Sequence, residues 1–268
     1  MESKFLTYKQ SLIHFTRLGT GTETLFAFHG YGESSASFNL LEDVIGTDFT
    51  IIAIDFPFHG KTEWKEGLLF SVHDLISIIQ EINRQNTQPI SLLGYSMGGR
   101  VSLQLLQTIP DSIKKLVLIA PDGLHNNFWH SFSTKTKAGN LSFAFVMKHP
   151  GFLFLLMKIA VKLNLFNKSI FNFVHYYLDE ESSRLILYRR WTTMRKFNPN
   201  KALLKSIIAK KRISLKLLFG KFDKVIITKR GEQFKKGIEQ FVEVKEIEAG
   251  HQLLREKYST EIAALFQH

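Results

Sequence analysis

The stretch Gly94-Tyr95-Ser96-Met97-Gly98-Gly99 decides the fold of this chain, because it joins a short predicted strand, Pro89 to Leu93, to a predicted helix, Met97 to Thr108. A serine on such a strand-to-helix turn holds its hydroxyl exposed at the edge of a sheet, as in a nucleophile elbow. Small residues two positions to each side let the strand and the helix approach closely. Taken alone, the pattern also fits a serine that merely caps the helix.

Strand-like and helix-like segments alternate on both sides of this turn, which predicts a parallel sheet with crossover helices. Ser71, with Asp74 three residues later, has the pattern of a capping box at a helix start. The run Ile51 to Asp55 suits a strand covered on both faces. The other expected elements are a hairpin of Phe5 to Tyr8 with Leu12 to Leu18, strands at Leu25 to Phe28, Lys115 to Ala120, Leu215 to Phe219 and Val242 to Ile247, and helices at Gly231 to Ile238 and Ser259 to Phe266.

The alternation stops between Leu124 and Ser206, where helix-like, aromatic and basic sequence intervenes. This predicts a helical insertion, 124–206, in a core made of 1–123 and 207–268. The insertion holds 13 Lys and Arg against 3 Asp and Glu, so it carries nearly all of the net charge of +11. Within it, Gly151 to Phe166 has lysines at helical spacing, and we expect an amphipathic helix there rather than a membrane span.

The composition is that of a globular protein, with 44% hydrophobic and 22% charged residues in 268. The absence of cysteine excludes disulfides, thiolate zinc sites and a cysteine nucleophile. Residues 1–10 lack the apolar core of a secretory signal, and no segment has the roughly 18 apolar residues that a membrane span needs. We therefore expect a cytoplasmic protein. The basic region has no recognised nucleic-acid motif, which argues against nucleic acid and leaves weak contact with an acidic membrane surface open.

Five motifs occur in one order along the chain: Phe28-His29-Gly30-Tyr31-Gly32, Asp55-Phe-Pro-Phe-His59-Gly60, Gly94 to Gly99, Gly220-Lys-Phe-Asp223 and Gly250-His251. In this order they resemble the α/β-hydrolase superfamily over the whole chain except the insertion. They look most like its serine-type esterases and its acyl or carbon–carbon bond hydrolases. The resemblance implies an α/β-hydrolase fold, with a mostly parallel eight-stranded sheet flanked by helices and a helical cap inserted after strand 6. It also implies an enzyme without cofactor or metal.

Carried over onto these motifs, the resemblance makes Ser96 the nucleophile, His251 the general base and Asp223 the acid that orients the imidazole. A serine hydroxyl needs such a base to remove its proton. Asp122 is the rival acid, because it follows the strand after the elbow and some members of the superfamily place their acid there. A turn-forming aspartate is the ordinary expectation next to Pro121 and Gly123, so Asp223 ranks first.

The resemblance also points to the backbone N–H groups of Tyr31 and Met97 as an oxyanion hole, which stabilises negative charge on the carbonyl oxygen of the substrate. His29 is expected to organise its loop rather than to act as a base. Phe58 stands where relatives commonly have glycine ahead of the His-Gly pair. This departure puts a conventional tight turn in doubt and leaves Ser96 unaffected.

The aromatic and basic insertion bears on the substrate. We expect a small, largely apolar acyl or aromatic compound, with an anionic group as an option, contacted by Tyr95, Trp191, Arg190 and Arg195. The predicted function is hydrolysis of a carboxylic ester or a related acyl bond. The alternatives are carbon–carbon bond hydrolysis, a non-hydrolytic lyase or synthase of the same fold, and a catalytically inactive ligand-binding protein.

Overall fold

The computed structural model describes residues 1–125, 133–134, 136–162 and 178–267 of the chain. Eight strands in this part of the chain form a single sheet, as predicted. In chain order they are β1 (Glu2–Tyr8), β2 (Ser11–Leu18), β3 (Glu23–Phe28), β4 (Phe49–Ile54), β5 (Ile90–Tyr95), β6 (Ile113–Ile119), β7 (Ser214–Gly220) and β8 (Val242–Ile247). Across the sheet the order is β1-β2-β4-β3-β5-β6-β7-β8.

The sheet is antiparallel at one end and parallel elsewhere. β1 and β2 form a hairpin through the turn at Lys9 and Gln10, and β2 also runs antiparallel to β4. The pairs β4–β3, β3–β5, β5–β6, β6–β7 and β7–β8 are parallel. The connections between these strands carry the helices and long loops that parallel pairing requires. All six residues of β5 are buried, as expected of a central strand covered on both faces. The carboxyl ends of these parallel strands consequently share one edge.

The described helices alternate with the strands in the core and dominate the insertion. They are α1 (Glu42–Ile45), α2 (Val72–Ile82), α3 (Met97–Thr108), α4 (Lys137–Lys148), α5 (Pro150–Lys162), α6 (Glu181–Thr193), α7 (Lys201–Lys211), α8 (Lys229–Lys235) and α9 (Ser259–Ala263). The predicted start and end of α3 are confirmed, and its position directly after β5 is what places the elbow at the sheet edge.

The predicted capping box at the start of α2 is present. The Ser71 hydroxyl accepts from the Asp74 N–H at 3.1 Å, and the Ser71 N–H donates to Asp74 Oδ2 at 3.0 Å. Burial by itself raises the pKa of Asp74, but hydrogen bonds from Lys9, Ser71 and Tyr8 outweigh it and hold that pKa well below its usual range. The ionised carboxylate therefore ties the first turn of α2 to the β1–β2 hairpin.

The chain divides into two compact units. The first comprises Met1–Glu66, Ser71–Asn126 and Phe197–His268, and the second comprises Gly67–Phe70 and Asn127–Lys196. The second unit thus ends at Lys196, before the Ser206 expected from the sequence. The reason is that α7 packs against α3 through its buried residues Leu204 and Ile208, which makes it part of the unit that holds the sheet.

The second unit is helical in the part that the structure describes. The Phe143 ring of α4 packs against the rings of Tyr188 and Trp191 on α6, with centroids 5.5 and 5.7 Å away. α5 covers the first part of the predicted helix Gly151 to Phe166, and 163–166 lie outside the described residues. No single described helix is long and apolar enough to cross a membrane, whereas α4 and α5 together reach that length and composition with a bend of 93° between them.

Candidate active site

Ser96 lies on the turn between β5 and α3, as the motif predicts. Its backbone has φ 49° and ψ −112°, a conformation that is costly for any residue with a side chain. The Ser96 N–H donates to the carbonyl oxygen of Ile119 on β6 at 2.9 Å. On the other side, a Cβ on Gly98 would lie 1.8 Å from the carbonyl oxygen of Phe28 at the end of β3, so only glycine lets α3 begin this close to the sheet. Both neighbouring strands therefore hold the turn in its strained form.

Ser96, His251 and Asp223 form a continuous hydrogen-bonded array, which we call the Ser96 array. Ser96 Oγ lies 3.1 Å from His251 Nε2, and His251 Nδ1 lies 2.7 Å from Asp223 Oδ2. A carboxylate only accepts hydrogen bonds, so the proton of the neutral ring belongs on Nδ1, and Nε2 is left to accept from the serine hydroxyl. The array has the geometry that activates a serine.

The Asp223 carboxylate is fixed from its other side. Asp223 is 4% exposed, and its Oδ1 accepts backbone N–H bonds from Val225 and Ile226 at 2.7 and 2.9 Å. Asp223 follows β7 directly, and His251 lies in the loop after β8. Because these are adjacent parallel strands, both residues reach the same sheet edge as Ser96.

The rival acid Asp122 has different partners. Its Oδ1 accepts the N–H of Gly123 at 2.7 Å, and its Oδ2 lies 3.4 Å from Nε of Arg100 on α3. Its own N–H donates to the Ser96 carbonyl oxygen at 2.8 Å. Asp122 thus supports the backbone of the elbow, and the structure brings Asp223, not Asp122, to the His251 ring.

The two residues predicted to supply the oxyanion hole lie on loops that flank the serine. Met97 is the first residue of α3, where a backbone N–H has no acceptor within the helix. Tyr31 lies in the loop after β3, and the neighbouring Gly30 passes so close that a Cβ there would come within 3.4 Å of Ser96 Cβ. The structure therefore brings the Tyr31 loop and the helix start to the same serine, and their role in binding an oxyanion stays a prediction.

His29 links two loops, consistent with the organising role expected of it. Its Nδ1 donates to the carbonyl oxygen of Gly30 at 2.7 Å, and its Nε2 accepts the Phe56 N–H at 3.2 Å. In the second of these loops Phe58 takes φ 63°, and the His59 N–H bonds to the Phe56 carbonyl oxygen at 3.0 Å. Phe58 thus occupies the third position of a tight turn, where positive φ is normally left to glycine.

Tyr95, a predicted substrate contact, is 3% exposed and has its hydroxyl engaged. The hydroxyl donates to the backbone carbonyl oxygen of His251 at 3.0 Å, and the two ring centroids are 5.8 Å apart. Burial, and after it the negative charges of Glu33 and Asp223, raise the pKa of Tyr95 far above its ordinary value. The protonated hydroxyl therefore holds the loop that carries His251.

Glu33 is a further acidic residue of this region that the sequence reasoning missed. It lies in the Tyr31 loop, and its Oε2 is buried without a hydrogen-bond partner among the described residues. Burial raises the pKa of Glu33, although the Gly30 backbone, the Ser37 side chain and a charged His251 lower it. The carboxyl thus lies close enough to His251 to respond to its charge. In the sequence, the position of Glu33 directly after Gly30, Tyr31 and Gly32 could have indicated that it lies near the site.

A second serine–histidine–aspartate array, which we call the Ser3 array, lies at the antiparallel end of the sheet. Ser3 Oγ is 2.8 Å from His14 Nε2, and His14 Nδ1 is 2.7 Å from Asp55 Oδ2. His14 and Asp55 are 3% and 1% exposed. The Asp55 carboxylate also accepts the backbone N–H groups of Ser35 and Lys61 at 2.5 and 2.8 Å. Asp55 thereby ties the loop after β3 to the loop after β4.

The other predicted substrate contacts lie in the second unit. Trp191 is half-buried and packs against Phe143. The Arg195 guanidinium donates to the backbone carbonyl oxygens of Leu68 and Thr192, which gives it a structural task within this unit. Arg190 is half-buried on α6, and its role as a substrate contact stays a prediction.

Known proteins resemble this chain in sequence over a limited stretch. A family model described as the alpha/beta hydrolase fold matches residues 23–152. Over 100 residues the chain is 32% identical to a "Probable serine hydrolase" of Drosophila melanogaster, a match covering 36% of this chain and 30% of that protein. The chain thus spans only about a third of the length of the curated relatives it matches.

The resemblance in structure covers nearly the whole chain. A thermophilic esterase from Thermogutta terrifontis matches with a TM-score of 0.70 at 16% identity, over 100% of this chain and 97% of that one. A meta-cleavage product hydrolase from Pseudomonas fluorescens matches with a TM-score of 0.63 at 14% identity, over 98% and 97% of the two chains. Together with the family model, these matches show that the chain has the α/β-hydrolase fold.

Proposed function

We propose that this chain is a serine hydrolase that cleaves a carboxylic ester or a related acyl bond of a small, largely apolar substrate, with Ser96, His251 and Asp223 as its catalytic triad. The observation that carries the proposal is the continuous Ser96 array on a strained turn, with Ser96 Oγ 3.1 Å from His251 Nε2. The name of the esterase with the same fold supports an ester as the bond.

In the first half of the reaction, Ser96 Oγ attacks the carbonyl carbon of the substrate while its proton passes to His251 Nε2. The imidazolium that forms is stabilised by the Asp223 carboxylate. The carbonyl oxygen becomes negative and accepts hydrogen bonds from the backbone N–H groups of Tyr31 and Met97. When the carbon–oxygen bond to the alcohol breaks, His251 gives its proton to the leaving oxygen. The products are an acyl-Ser96 ester and a free alcohol.

In the second half, water replaces the alcohol. His251 takes a proton from the water as its oxygen attacks the acyl carbon, and the same two N–H groups hold the new oxyanion. His251 then returns a proton to Ser96 Oγ, and the carboxylic acid leaves. Every proton that moves passes through Nε2, which the Asp223 bond at Nδ1 keeps in position.

An apolar substrate is supported by exposed side chains at the sheet edge that bears Ser96. The loops after β3 and β7, which carry Tyr31 and Asp223, have large apolar side chains that are exposed: Tyr31 is 42%, Phe222 60%, Val225 61% and Ile227 43% exposed. An apolar ligand that covers solvated apolar groups around a reactive centre removes them from water, and this stabilises the complex.

Carbon–carbon bond hydrolysis is the second candidate, because one matching structure is a meta-cleavage product hydrolase. The same array supports that reaction when the leaving group is a carbon next to a carbonyl. Trapping an acyl group on Ser96 distinguishes ester hydrolysis from carbon–carbon bond hydrolysis. A slow ester that leaves an acyl group on Ser96 supports ester hydrolysis, whereas turnover of a carbon–carbon substrate with no ester turnover supports the alternative.

The proposal is tested with a fluorophosphonate probe and p-nitrophenyl esters of increasing chain length. We expect the probe to label the wild-type protein on Ser96, and Ser96→Ala to lose labelling together with at least about 10⁴-fold in kcat/KM. Ser3→Ala is the matched control, since it removes the serine of the other array, and it should keep both labelling and activity. Full labelling of Ser96→Ala, or undiminished hydrolysis by it, would refute Ser96 as the nucleophile.

A further inference from the structure

Helices α4 and α5 of the second unit carry large apolar side chains that lie in solvent. On α4, Leu141 is 71% and Phe145 57% exposed. On α5, Phe152 is 58%, Leu155 54% and Ile159 47% exposed. Single exposed apolar residues are common on protein surfaces. Five large ones on two consecutive helices are typical of a surface that contacts a protein, a membrane or a ligand.

The exposed side chains follow helical periodicity. Leu141 and Phe145 are four residues apart, and Phe152, Leu155 and Ile159 follow with spacings of three and four. Each set therefore forms a stripe along one side of its helix. We call these five residues the apolar stripes.

The apolar stripes are not the only apolar side of these helices. α4 also has an inner side, where Met147 is 4% exposed and Phe143 packs on Tyr188 and Trp191. The inner side already supplies the packing that anchors α4 in its unit. The outer stripe is thus additional apolar surface, which this inner packing does not cover among the described residues.

The charged residues of α4 and α5 themselves are all positive. Residues 137–162 contain four lysines and neither aspartate nor glutamate. All four, Lys137, Lys148, Lys158 and Lys162, are exposed. Lys137 and Lys148 lie at the two ends of the Leu141–Phe145 stripe, and Lys158 and Lys162 lie next to Ile159 along α5.

Apolar stripes with lysines beside them fit the surface of an anionic lipid bilayer. The apolar side chains enter the boundary between headgroups and acyl chains, and lysines extend their ammonium groups to the phosphates. A second copy of the chain fits less well, because a self-complementary contact would bring these lysines against their own equivalents.

We propose that Leu141, Phe145, Phe152, Leu155 and Ile159 insert into the surface of an anionic membrane while the four lysines next to them contact its phosphates. The helices lie on the bilayer and do not cross it. This binding is independent of the chemistry at Ser96. A test of membrane binding therefore does not depend on whether the proposed function is correct.

Binding is measured by co-sedimentation of the full chain with vesicles of ether-linked phosphatidylcholine, with and without ether-linked phosphatidylserine. Ether-linked lipids contain no acyl ester, so hydrolysis by the protein cannot change the surface. We expect binding to vesicles that contain phosphatidylserine, at least about tenfold weaker binding to phosphatidylcholine alone, and loss of binding as salt rises.

Two variants separate the apolar and the charged contributions. Phe145→Ser combined with Phe152→Ser should weaken binding on the order of tenfold or more, because two phenyl groups no longer enter the bilayer. Lys148→Gln should weaken it about fivefold, and only on anionic vesicles. The matched controls are Phe5→Ser, which removes an exposed phenylalanine of the first unit, and Lys229→Gln, which removes an exposed lysine there. Both controls should bind as the wild type does.

Three results would overturn the proposal. The first is no binding of the wild-type chain to phosphatidylserine vesicles. The second is equal loss of binding in Phe5→Ser and in the Phe145→Ser, Phe152→Ser double variant. The third is a dimer in solution that the double variant dissociates, without any vesicle binding, since the stripes would then bind a second copy.

Discussion

The Ser96 array and the Ser3 array contain the same three residue types at nearly the same distances. The serine-to-histidine distance is 3.1 Å in the Ser96 array and 2.8 Å in the Ser3 array, and the histidine-to-aspartate distance is 2.7 Å in both. Each aspartate also accepts two backbone N–H bonds. The hydrogen bonds within the arrays therefore do not distinguish a reactive serine from an inert one.

The surroundings of the two serines differ. Ser96 has a positive φ and precedes α3, whose first residue, Met97, has a backbone N–H without an acceptor within the helix. Ser3 lies in the extended strand β1, paired with Thr16 of β2 in a regular ladder. His251 has a side chain 25% exposed at the mouth of the site, whereas that of His14 is 4% exposed.

These differences assign a separate task to each array. A serine gains little from a base if no donors await the negative charge that its attack creates. At Ser96 the helix start and the Tyr31 loop lie beside the serine, and we predict that they hold that charge. At Ser3 the histidine and the aspartate instead satisfy each other and two loop N–H groups inside the protein. The Ser3 array is a structural network, and its variants should change stability rather than catalysis.

The largest expected effect is that of Asp223→Asn. The amide can donate to Nδ1 and so favours the tautomer with its proton on Nε2, which cannot accept from the serine. We expect kcat to fall by about 10⁴-fold, measured with a p-nitrophenyl ester. The free energy of unfolding, measured with urea, should change far less. Activity within tenfold of the wild type would contradict the role of Asp223.

The equivalent change in the Ser3 array, Asp55→Asn, should lower the stability of the protein and leave its activity largely unchanged. It removes a buried acceptor shared by His14, Ser35 and Lys61 and places an amide donor among them. We expect a loss of about 3 kcal/mol in the free energy of unfolding. Urea unfolding followed by fluorescence measures it. If Asp55→Asn keeps wild-type stability and loses activity, the Ser3 array is not structural.

A smaller effect is expected from Tyr95→Phe, which leaves the His251 carbonyl oxygen without the Tyr95 hydroxyl. A hydrogen bond of this kind contributes about 1 kcal/mol, so we expect kcat to fall roughly fivefold with KM unchanged, because the His251 loop is held less firmly. Tyr8→Phe is the matched control, since its hydroxyl bonds to Asp74 at 2.7 Å, far from His251 in the chain. An equal loss of kcat in both variants would show that the effect is not specific to the His251 loop.

The smallest effect is expected from Glu33→Gln and concerns pH. Because burial raises the pKa of Glu33, folding favours its protonated form. The stability this contributes is fully present below the unfolded pKa of about 4.3 and is lost as pH rises through the folded pKa. Glutamine does not titrate, so the stability of the variant relative to the wild type should increase as pH rises from 4 to 8. Urea midpoints across this range measure the gap, and a constant gap would contradict the prediction.

Much of the first unit follows from local patterns in the sequence. The strand before Ser96, the glycines around it and the helix after it are adjacent in the chain, so a six-residue motif predicts the elbow. The order of Ser96, Asp223 and His251 then restricts which residues can meet, because parallel strands bring their carboxyl ends to one edge.

The Ser3 array could not be predicted in the same way. The hairpin predicted from the sequence begins at Phe5, whereas β1 begins at Glu2, and this pairing is what brings Ser3 close to His14. A histidine within a strand carries no sign of whether it is reactive or structural. Its role depends on Asp55, which follows a third strand, β4.

The boundary of the insertion depended on packing rather than on pattern. The periodicity of residues 201–211 indicates a helix but not which unit covers its apolar side. Leu204 and Ile208 pack on α3, and this decides the unit to which α7 belongs. The burial of Glu33 could not be predicted from the sequence either. A glutamate in a loop is ordinarily solvated, and only the fold buries the Oε2 atom of Glu33.

The separation of Ser96 and His251 by 155 residues has a consequence for synthesis of the protein. During translation Ser96 emerges long before His251, and β7 and β8 must be completed and paired before the imidazole can reach the serine. An unfinished chain thus exposes a serine with no base, which is chemically an ordinary alcohol. On the proposed mechanism, Ser96 would become reactive only when nearly all of the described chain has been made and folded.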